Sequence, residues 1–561
     1  MTTKSVVTSR SALIIILLII CCSACMEQPA TVKRPKLVVG IVVDQMRWDY
    51  LYRYYERYGR GGFKRLMHDG YSCQQTMVNY LPTYTAPGHT CVYTGSVPSI
   101  HGIAGNDWIN NQTGKKWYCT EDTAVWLAGD EKREPSMSPA NMLVTTVTDE
   151  LRMATNFRSR VYGVALKDRG AILPAGHTAN AAYWYNEKTG NFVTSTYYAK
   201  EFQNPEWLSA FNKRNVVDSL TRQDWELMYD IKSYAQSTKD ATPYEGAFKG
   251  EAEPVFPHKI STMPKADRLS IIKSLPAGNT LTMDMARACI EGAAGGKLGS
   301  GKDVDFLCLS LSSTDYIGHR FAPNSIEVED AYLRLDREIA SFLEYLDRTV
   351  GEGNYLMFLT ADHAGAHNPQ FLKDHGVPAG IWADMTRELN GYLSERYASD
   401  SPLVRSIMNY QVFLNEGVLA GDKTIRELVK TSARDWLANV MPAIYHVPVS
   451  YVLDMEDMGK QAVPELIKSM AVNGYNRNRS GGLQVVLDPG WFESEHQTGT
   501  THGSWNPYDA HIPLLWYGWH IPKGETHTVV NMTDIAPTMA ALLHIQMPSG
   551  CIGKPITDLI K

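Results

Sequence analysis

Four apolar runs in this chain break off abruptly at or just before a polar residue. KLVVGIVV ends at Asp44, SRVYGVAL ends before Lys167, VDFLCLSL ends shortly before Asp315, and NYLMFLT ends before Asp362. Runs so little broken by polar side chains are the pattern of parallel strands covered on both faces. Between them lie amphipathic stretches. In 326–346, Val328, Tyr332, Leu335, Ile339, Phe342 and Leu346 recur every three or four positions, and Pro323-Asn324-Ser325 supplies a helix start. Strand alternating with helix predicts an α/β fold, a doubly wound, mostly parallel sheet with helices on both faces. Ligands in such folds gather beyond the C-terminal strand ends, where these runs deliver their polar residues.

Two segments fit the alternation poorly. Residues 178–264 are rich in Tyr, Trp, Asn and Lys and contain a hairpin-like AAYWYNEKTGNFVTSTYYA turning at NEKTGN. Residues 376–480 mix helical patterns with YHVPVSYVLD. Both are expected to be insertions forming a cap over a core made of 34–177, 265–375 and 481–561. A chain of 561 residues is long enough for such an arrangement. Near the C-terminus HIPLLWYGWHI reads as a strand, and NMTDIAPTMAALLHI as a closing helix begun by Thr533 or Asp534.

Residues 1–25 read as a secretory leader: Lys4 and Arg10 precede an apolar run from Ala12 to Ile20, too short to span a bilayer. Ser23-Ala24-Cys25 resembles the end of a bacterial lipobox, although Cys22 stands where Leu is preferred. The expectation is a periplasmic protein lipid-anchored at Cys25, the alternative being ordinary cleavage to a soluble form. The other cysteines are Cys73, Cys91, Cys119, Cys289, Cys308 and Cys551. An oxidising compartment permits disulfides, but their connectivity cannot be read from one sequence. Cys308, inside an apolar run, reads as a core residue. A net charge of −6 gives no basic surface for nucleic acid, so none is expected as a partner.

The polar residues at the ends of the runs add up to a chemical proposition. Asp315 and His319 are four apart, a spacing that puts both on one face of a helix, although Gly318 disfavours a regular one. Asp362-His363 follows a strand, and His502 sits in the Gly- and Thr-rich GTTHGSW. Taken singly, each pattern is more readily structural. Together with Asp44 they make three carboxylates and three imidazoles, enough to hold two zinc ions, although such ligands also suit manganese or iron. Thr85, in LPTYTAPGHT, is a hydroxyl that a metal could activate, and Thr83 and Thr90 are rivals that counting cannot separate. No G-x-S-x-G elbow offers a serine relay. Gly296-KLGS-Gly301-Lys302 has phosphate-loop spacing, but Asp303 stands where Ser or Thr is needed and no strand precedes it.

In order and spacing, GIVVDQMRWDYL, NYLPTYTAPGHTCVYTGSVPSIHGIAGNDW, ALKDRGAILPAGH, STDYIGHRF, TADHAG and THGSWNPYDAHIP resemble the alkaline phosphatase superfamily. The likeness is to its PafA-type, threonine-nucleophile bacterial alkaline phosphatases. The resemblance implies Thr85 as nucleophile. Asp44, Asp362 and His363 would hold the zinc that activates it, and Asp315, His319 and His502 a second zinc at the leaving-group oxygen. It further implies Asn106, Lys167 and Arg169 as contacts to the phosphoryl oxygens. A monoester dianion carries more charge there than a diester, and Lys167 with Arg169 would meet it. The implied activity is hydrolysis of small-molecule phosphate monoesters through a phosphothreonine by a monomeric, two-Zn2+ enzyme. The alternatives are a phosphodiesterase or nucleotide pyrophosphatase of the same superfamily and a non-catalytic phospho-ligand-binding lipoprotein. A sulfatase is disfavoured, because the T-Y-T-A-P-G-H context lacks the C/S-x-P-x-R needed for formylglycine.

Overall fold

A computed structural model describes residues 33–199, 203–419 and 421–560. The expected leader, 1–25, with the expected lipid-anchor position Cys25, lies outside the described residues. The main sheet has ten strands: β1 (Leu37–Val43), β2 (Tyr71–Met77), β3 (Val161–Ala165), β4 (Ala181–Asn186), β5 (Asn191–Val193), β6 (Asp305–Leu311), β7 (Tyr355–Thr360), β8 (His511–Ile512), β9 (Leu514–Gly518) and β10 (Gly524–Asn531). Their order is β8-β2-β9-β7-β1-β6-β3-β4-β5, with β10 paired to β2. The centre is parallel: β1 pairs with β6 and β7, and β6 continues through β3 to β4. Every residue of β1, β6 and β7 is buried, which is why these runs carry almost no polar side chains.

The helices that matter for the site are α1 (Thr85–Thr94), α2 (Asp168–Ala175), α3 (Ser313–Phe321), α4 (Ile326–Leu346) and α5 (Ile535–Leu543). The six periodic apolar residues of α4 are all buried, and the Ser325 side chain caps it by accepting from the Val328 N–H. The closing helix α5 starts where expected, with Asp534 at its N-cap position, and is preceded by a 3-10 turn, Met532–Asp534, capped by Asn531. There Asn531 and Asp534 form a reciprocal capping box.

The strand expected after His502 is β9, and it runs antiparallel to β7, with Leu514 opposite Thr360. Its incoming end therefore lies where the parallel strands terminate. The first part of 178–264 is sheet edge, with β4 and β5 extending the main sheet antiparallel to one another. In the second segment, Val404–Met408, Gln411–Leu414 and Val449–Asp454 form a small antiparallel sheet. That sheet also takes in Leu483–Leu487, a strand expected in the main core. It has an apolar core of its own, including Trp382, Leu389, Val412, Val429 and Leu483. The loop around Gly296 joins the helix Pro276–Gly292 to β6, so the strand–loop–helix context of a phosphate loop is absent. The six cysteines among the described residues are free, and Cys308 is buried in β6 as a core residue.

Candidate active site

The backbone delivers the polar residues to one edge of the sheet. Asp44 follows β1 directly, Asp362 and His363 follow β7, and Lys167 sits between β3 and α2 as the N-cap of that helix. Asp315 and His319 do share one face of a regular helix, α3, despite Gly318. A Cβ at Gly318 would collide with the end of the Gln45 side chain, so the glycine makes room for Gln45 to reach the site. Thr85 opens α1. His502 approaches in the loop that leads into β8 and β9.

The side chains converge into two groups. One ligand atom each from Asp44, Asp362 and His363 lie within 4.8 Å of one another, as do atoms of Asp315, His363 and His502. His363 thus stands in both groups, its ring stacked 3.5 Å from that of His502. His319 joins through Asp315, with Nε2 3.1 Å from Oδ1. The three imidazoles share a supporting pattern. Nδ1 of His319 donates to Thr500 O (2.7 Å), that of His363 to Ala364 O (2.9 Å), and that of His502 to Thr83 O (2.6 Å). A carbonyl can only accept, so each Nδ1 carries the proton and each Nε2 keeps its lone pair for a metal. Burial lowers the pKa of His363 and His502, which keeps both neutral. For His319 burial acts the same way, but the Asp315 carboxylate outweighs it and raises the pKa.

The carboxylates fit cations. Asp44 and Asp362 are fully buried; Asp44 Oδ1 has no hydrogen-bond partner, Asp44 Oδ2 contacts Lys167, and Asp362 Oδ2 contacts His89. Uncompensated buried carboxylates are costly, and burial with the neighbouring Asp315 and Asp362 pushes the Asp44 pKa well up. Lys167 is the cation at hand. Its Nζ lies 2.7 Å from Asp44 and 2.5 Å from Asp315, bridging the two groups. One ammonium against three carboxylates leaves negative charge that two divalent ions would neutralise.

Thr85 stands beside both groups: Oγ1 is 3.4 Å from His363 Nε2 and 3.5 Å from Lys167 Nζ. Its rivals are occupied structurally. The Thr83 hydroxyl donates to Ser504 O and accepts from Gly503 N–H, and the Thr90 hydroxyl donates to Ala86 O. As the first residue of α1, Thr85 also lies at the positive end of a helix. Asn106 accepts from the Ala86 N–H through Oδ1 (2.9 Å), which leaves its NH2 to donate elsewhere. Arg169 donates from Nη1 to Tyr118 Oη (3.0 Å), Tyr118 in turn donates to Asp168 (2.6 Å), and Arg169 Nε has no partner.

Several supporting residues were not foreseen. Gln45 donates from Nε2 to Asp315 (2.8 Å) and from its backbone N–H to Asp362 (3.2 Å). His89 contacts Thr85 O, Ser310 Oγ and, at 3.3 Å, Asp362 Oδ2. Its position one helical turn after Thr85 was the available signal. Tyr118 had none, because it reaches the site from a separate hairpin. A cavity of about 570 Å3, lined by Gly246, Tyr316, His319, Glu493 and Thr500 among others, opens on the Asp315–His319 side.

A family model for type I phosphodiesterases / nucleotide pyrophosphatases matches residues 38–509. The chain belongs to this family. Within it, and within the wider alkaline phosphatase superfamily, similar proteins include alkaline phosphatase PafA of Elizabethkingia meningoseptica. That protein is 48% identical over 94% of this chain and 95% of the relative. A protein named calcium-transporting ATPase, from Myroides odoratus, is 50% identical over 94% of this chain and 95% of its own. The crystal structure of wild-type PafA superposes with a TM-score of 0.89 at 47% identity, covering 95% of this chain and all of that one. The mixed α/β architecture and mostly parallel sheet of this family member are therefore those of an alkaline phosphatase.

Proposed function

We propose that the protein is an alkaline phosphatase that hydrolyses small phosphate monoesters through a covalent phosphothreonine on Thr85. The observation that carries this reading is the place of Thr85 Oγ1, within 3.5 Å of both His363 Nε2 and Lys167 Nζ at the head of a helix. The likeness to PafA across nearly the whole chain supports monoesters as substrates.

Two zinc ions are the metals proposed, one held by Asp44, Asp362, His363 and Thr85, the other by Asp315, His319 and His502. Bound there, they would lower the pKa of oxygen ligands and neutralise charge on the attacking and leaving oxygens. Thr85 Oγ attacks phosphorus as the bond to the leaving oxygen breaks. Water then attacks from the opposite side, the phosphorus–Oγ bond breaks, and inorganic phosphate leaves. Asn106 donates its NH2 to a phosphoryl oxygen, and Arg169, steadied by Tyr118, offers guanidinium hydrogens to others. Lys167, held between Asp44 and Asp315, places its positive charge beside Thr85 and the transferred group. The enzyme is proposed to work as a monomer in the periplasm, anchored through Cys25.

The test is a panel of monoesters, diesters and sulfate esters assayed on purified protein of measured metal content. The reading requires monoester preference, about two zinc ions per chain, and loss of turnover in Thr85→Ala. A Thr85→Ala protein with undiminished phosphatase activity sinks the mechanism, and strong diester preference turns the assignment to phosphodiesterase.

A further inference from the structure

The cavity of about 570 Å3 on the Asp315–His319 side carries charge that the phosphatase reading does not use. Besides His319 and Thr501, the neighbour of His502, its lining includes Glu493, Glu495 and Arg320. It borders the group proposed to hold the metal at the leaving oxygen, so the remainder of a leaving alcohol has this space to occupy.

Glu493 is fixed there by one tyrosine. It ends the short strand Trp491–Glu493, which pairs with Gly380–Trp382 and sets Glu493 opposite Trp382. The Tyr410 N–H donates to Glu493 Oε2 (2.7 Å), and the Glu493 N–H donates to Tyr410 Oη (3.0 Å). The same hydroxyl donates to His502 O (3.4 Å), so Glu493 and His502 are held against a single atom. Tyr410 does this from a costly position. Asn409 and Tyr410 turn the chain between Met408 and Gln411, with φ of 58° and 57°. Glycine is the usual second residue of such a turn, yet here stands a large side chain that ties Glu493 to His502.

The second carboxylate oxygen of Glu493 is uncommitted. Oε1 accepts no hydrogen bond, and it is not among the buried atoms that lack a partner, so it remains accessible. Burial raises the pKa of this carboxyl to about 7, against the pull of the Tyr410 N–H, so it is anionic in alkaline solution. No lysine or arginine pairs with Glu493 or Glu495 among the described residues. Glu495 spends one oxygen on the Asp384 N–H (3.0 Å). Arg320 is turned to other work, donating to Ala247 O (2.9 Å) with its guanidinium 4.8 Å from the centre of the Phe248 ring. A carboxylate without a counter-ion thus stands where a leaving group would lie.

We infer that Glu493 is a specificity-determining residue that reads the leaving group, and that the site favours phosphate monoesters of amino alcohols, whose leaving group carries an ammonium. This inference rests on the phosphatase reading and narrows its substrate class. An ammonium in the cavity would donate to Glu493 Oε1 and supply the positive charge the carboxylate lacks. A neutral alcohol gains only an ordinary hydrogen bond there, and a leaving group bearing a carboxylate is repelled. Glu493 takes no part in making or breaking bonds to phosphorus.

The test compares monoesters built on the same short frame and ending in an ammonium, a hydroxyl or a carboxylate: phosphoethanolamine, 2-hydroxyethyl phosphate and phosphoglycolate. The zinc-loaded wild type is assayed for kcat/KM with each, in mildly alkaline buffer that leaves the amine protonated. Zinc-loaded Thr85→Ala protein, which cannot form the phosphothreonine, is titrated with each by calorimetry. Affinity and kcat/KM should both fall in the order ammonium, hydroxyl, carboxylate. Glu493→Gln keeps an acceptor for the Tyr410 N–H and removes the charge. It should shrink the preference for phosphoethanolamine over 2-hydroxyethyl phosphate about tenfold, as expected for loss of a hydrogen bond to a charged group. The inference fails if that preference is absent from the unsubstituted site or survives Glu493→Gln unchanged. Tightest binding of phosphoglycolate overturns it as well, and hands the leaving group to Arg320. Should Glu493→Gln fold poorly, the order of the three esters on wild-type and Thr85→Ala protein decides alone. A wild type that turns over no monoester sinks the phosphatase reading, whereas one that turns over all three without this order sinks only the role of Glu493.

Discussion

Lys167 and Asp315 form an ion pair sealed from solvent, Nζ to Oδ2 at 2.5 Å, with both side chains at most 3% exposed. The same ammonium touches Asp44, so a single lysine spans the two halves of the site. Its charge is thereby fixed about one atom's breadth from the Thr85 hydroxyl. Replacement of Lys167 by Met keeps the bulk and removes the charge. Charge-assisted hydrogen bonds are worth about 1.5–3 kcal/mol, so kcat/KM for a monoester should fall about 10- to 100-fold. A diester with the same leaving group has less charge to lose contact with and should fall less. The ratio of the two kcat/KM values is the measurement, and an unchanged ratio counts against the role given to Lys167.

His89 fastens the nucleophile helix to a ligand carboxylate, through Thr85 O at 2.9 Å and Asp362 at 3.3 Å. His89→Phe removes both contacts while filling the space. Loss of partners behind metal ligands typically costs about 10- to 100-fold in metal affinity. Zinc titration against a competing chelator should show that loss, while far-ultraviolet circular dichroism stays native.

Gly88 allows α1 to lie directly on the Asp362 backbone, since a Cβ there would overlap the Asp362 carbonyl oxygen. Backbone cannot swing aside as a side chain can. Gly88→Ala should therefore destabilise the protein by about 1–3 kcal/mol, the usual cost of overpacking, and shift Thr85 relative to its partners. A lowered Tm accompanied by a lowered kcat is the expected result. Gly318→Ala, which meets only the end of Gln45, should cost less stability.

Asp509 braces the His502 loop by accepting from the Ser504 N–H (2.8 Å) and hydroxyl (2.6 Å). Burial raises its pKa to about 7 even though those bonds oppose the rise. Below the ordinary carboxyl range, ~4, both folded and unfolded chains are protonated and the group is neutral to stability. Between there and about 7 the unfolded chain has lost the proton and the folded one retains it, so stability falls as pH rises. Asp509→Asn cannot ionise and should escape this fall. Its Tm relative to wild type should climb from pH 4 to pH 7 and then level off; a pH-independent difference would refute the assignment.

The sequence was most legible where chemistry and backbone shared a cause. Strands buried on both faces must be apolar, so their ends stand out, and Asp44, Lys167, Asp315 and Asp362 lie just beyond such ends. His502 was harder to place, because nothing in HIPLLWYGWHI specifies an antiparallel direction, and that direction brings its loop to the same edge. Apolar alternation marks a strand without saying which sheet it joins, which is why Leu483–Leu487 and the hairpin at 181–193 lay elsewhere than expected. Gln45 and Tyr118 act through single hydrogen bonds set by tertiary packing, and isolated polar residues of that kind leave no periodic trace. Spacing alone did not choose among Thr83, Thr85 and Thr90; the resemblance pointed to Thr85, and the other two hydroxyls are taken up in hydrogen bonds to Ser504 O and Ala86 O.

The hydrogen bond from His502 to Thr83 joins residues 419 positions apart, and the loop that carries His502 leads on into β8 and β9. The proposed ligand set is therefore complete only once the chain extends through His502, about nine-tenths of its length. A chain truncated before His502 would carry Thr85 and five of the six proposed ligands, and would lack the imidazole that completes the group with Asp315 and His363. Catalytic competence would thereby report that synthesis has passed residue 502.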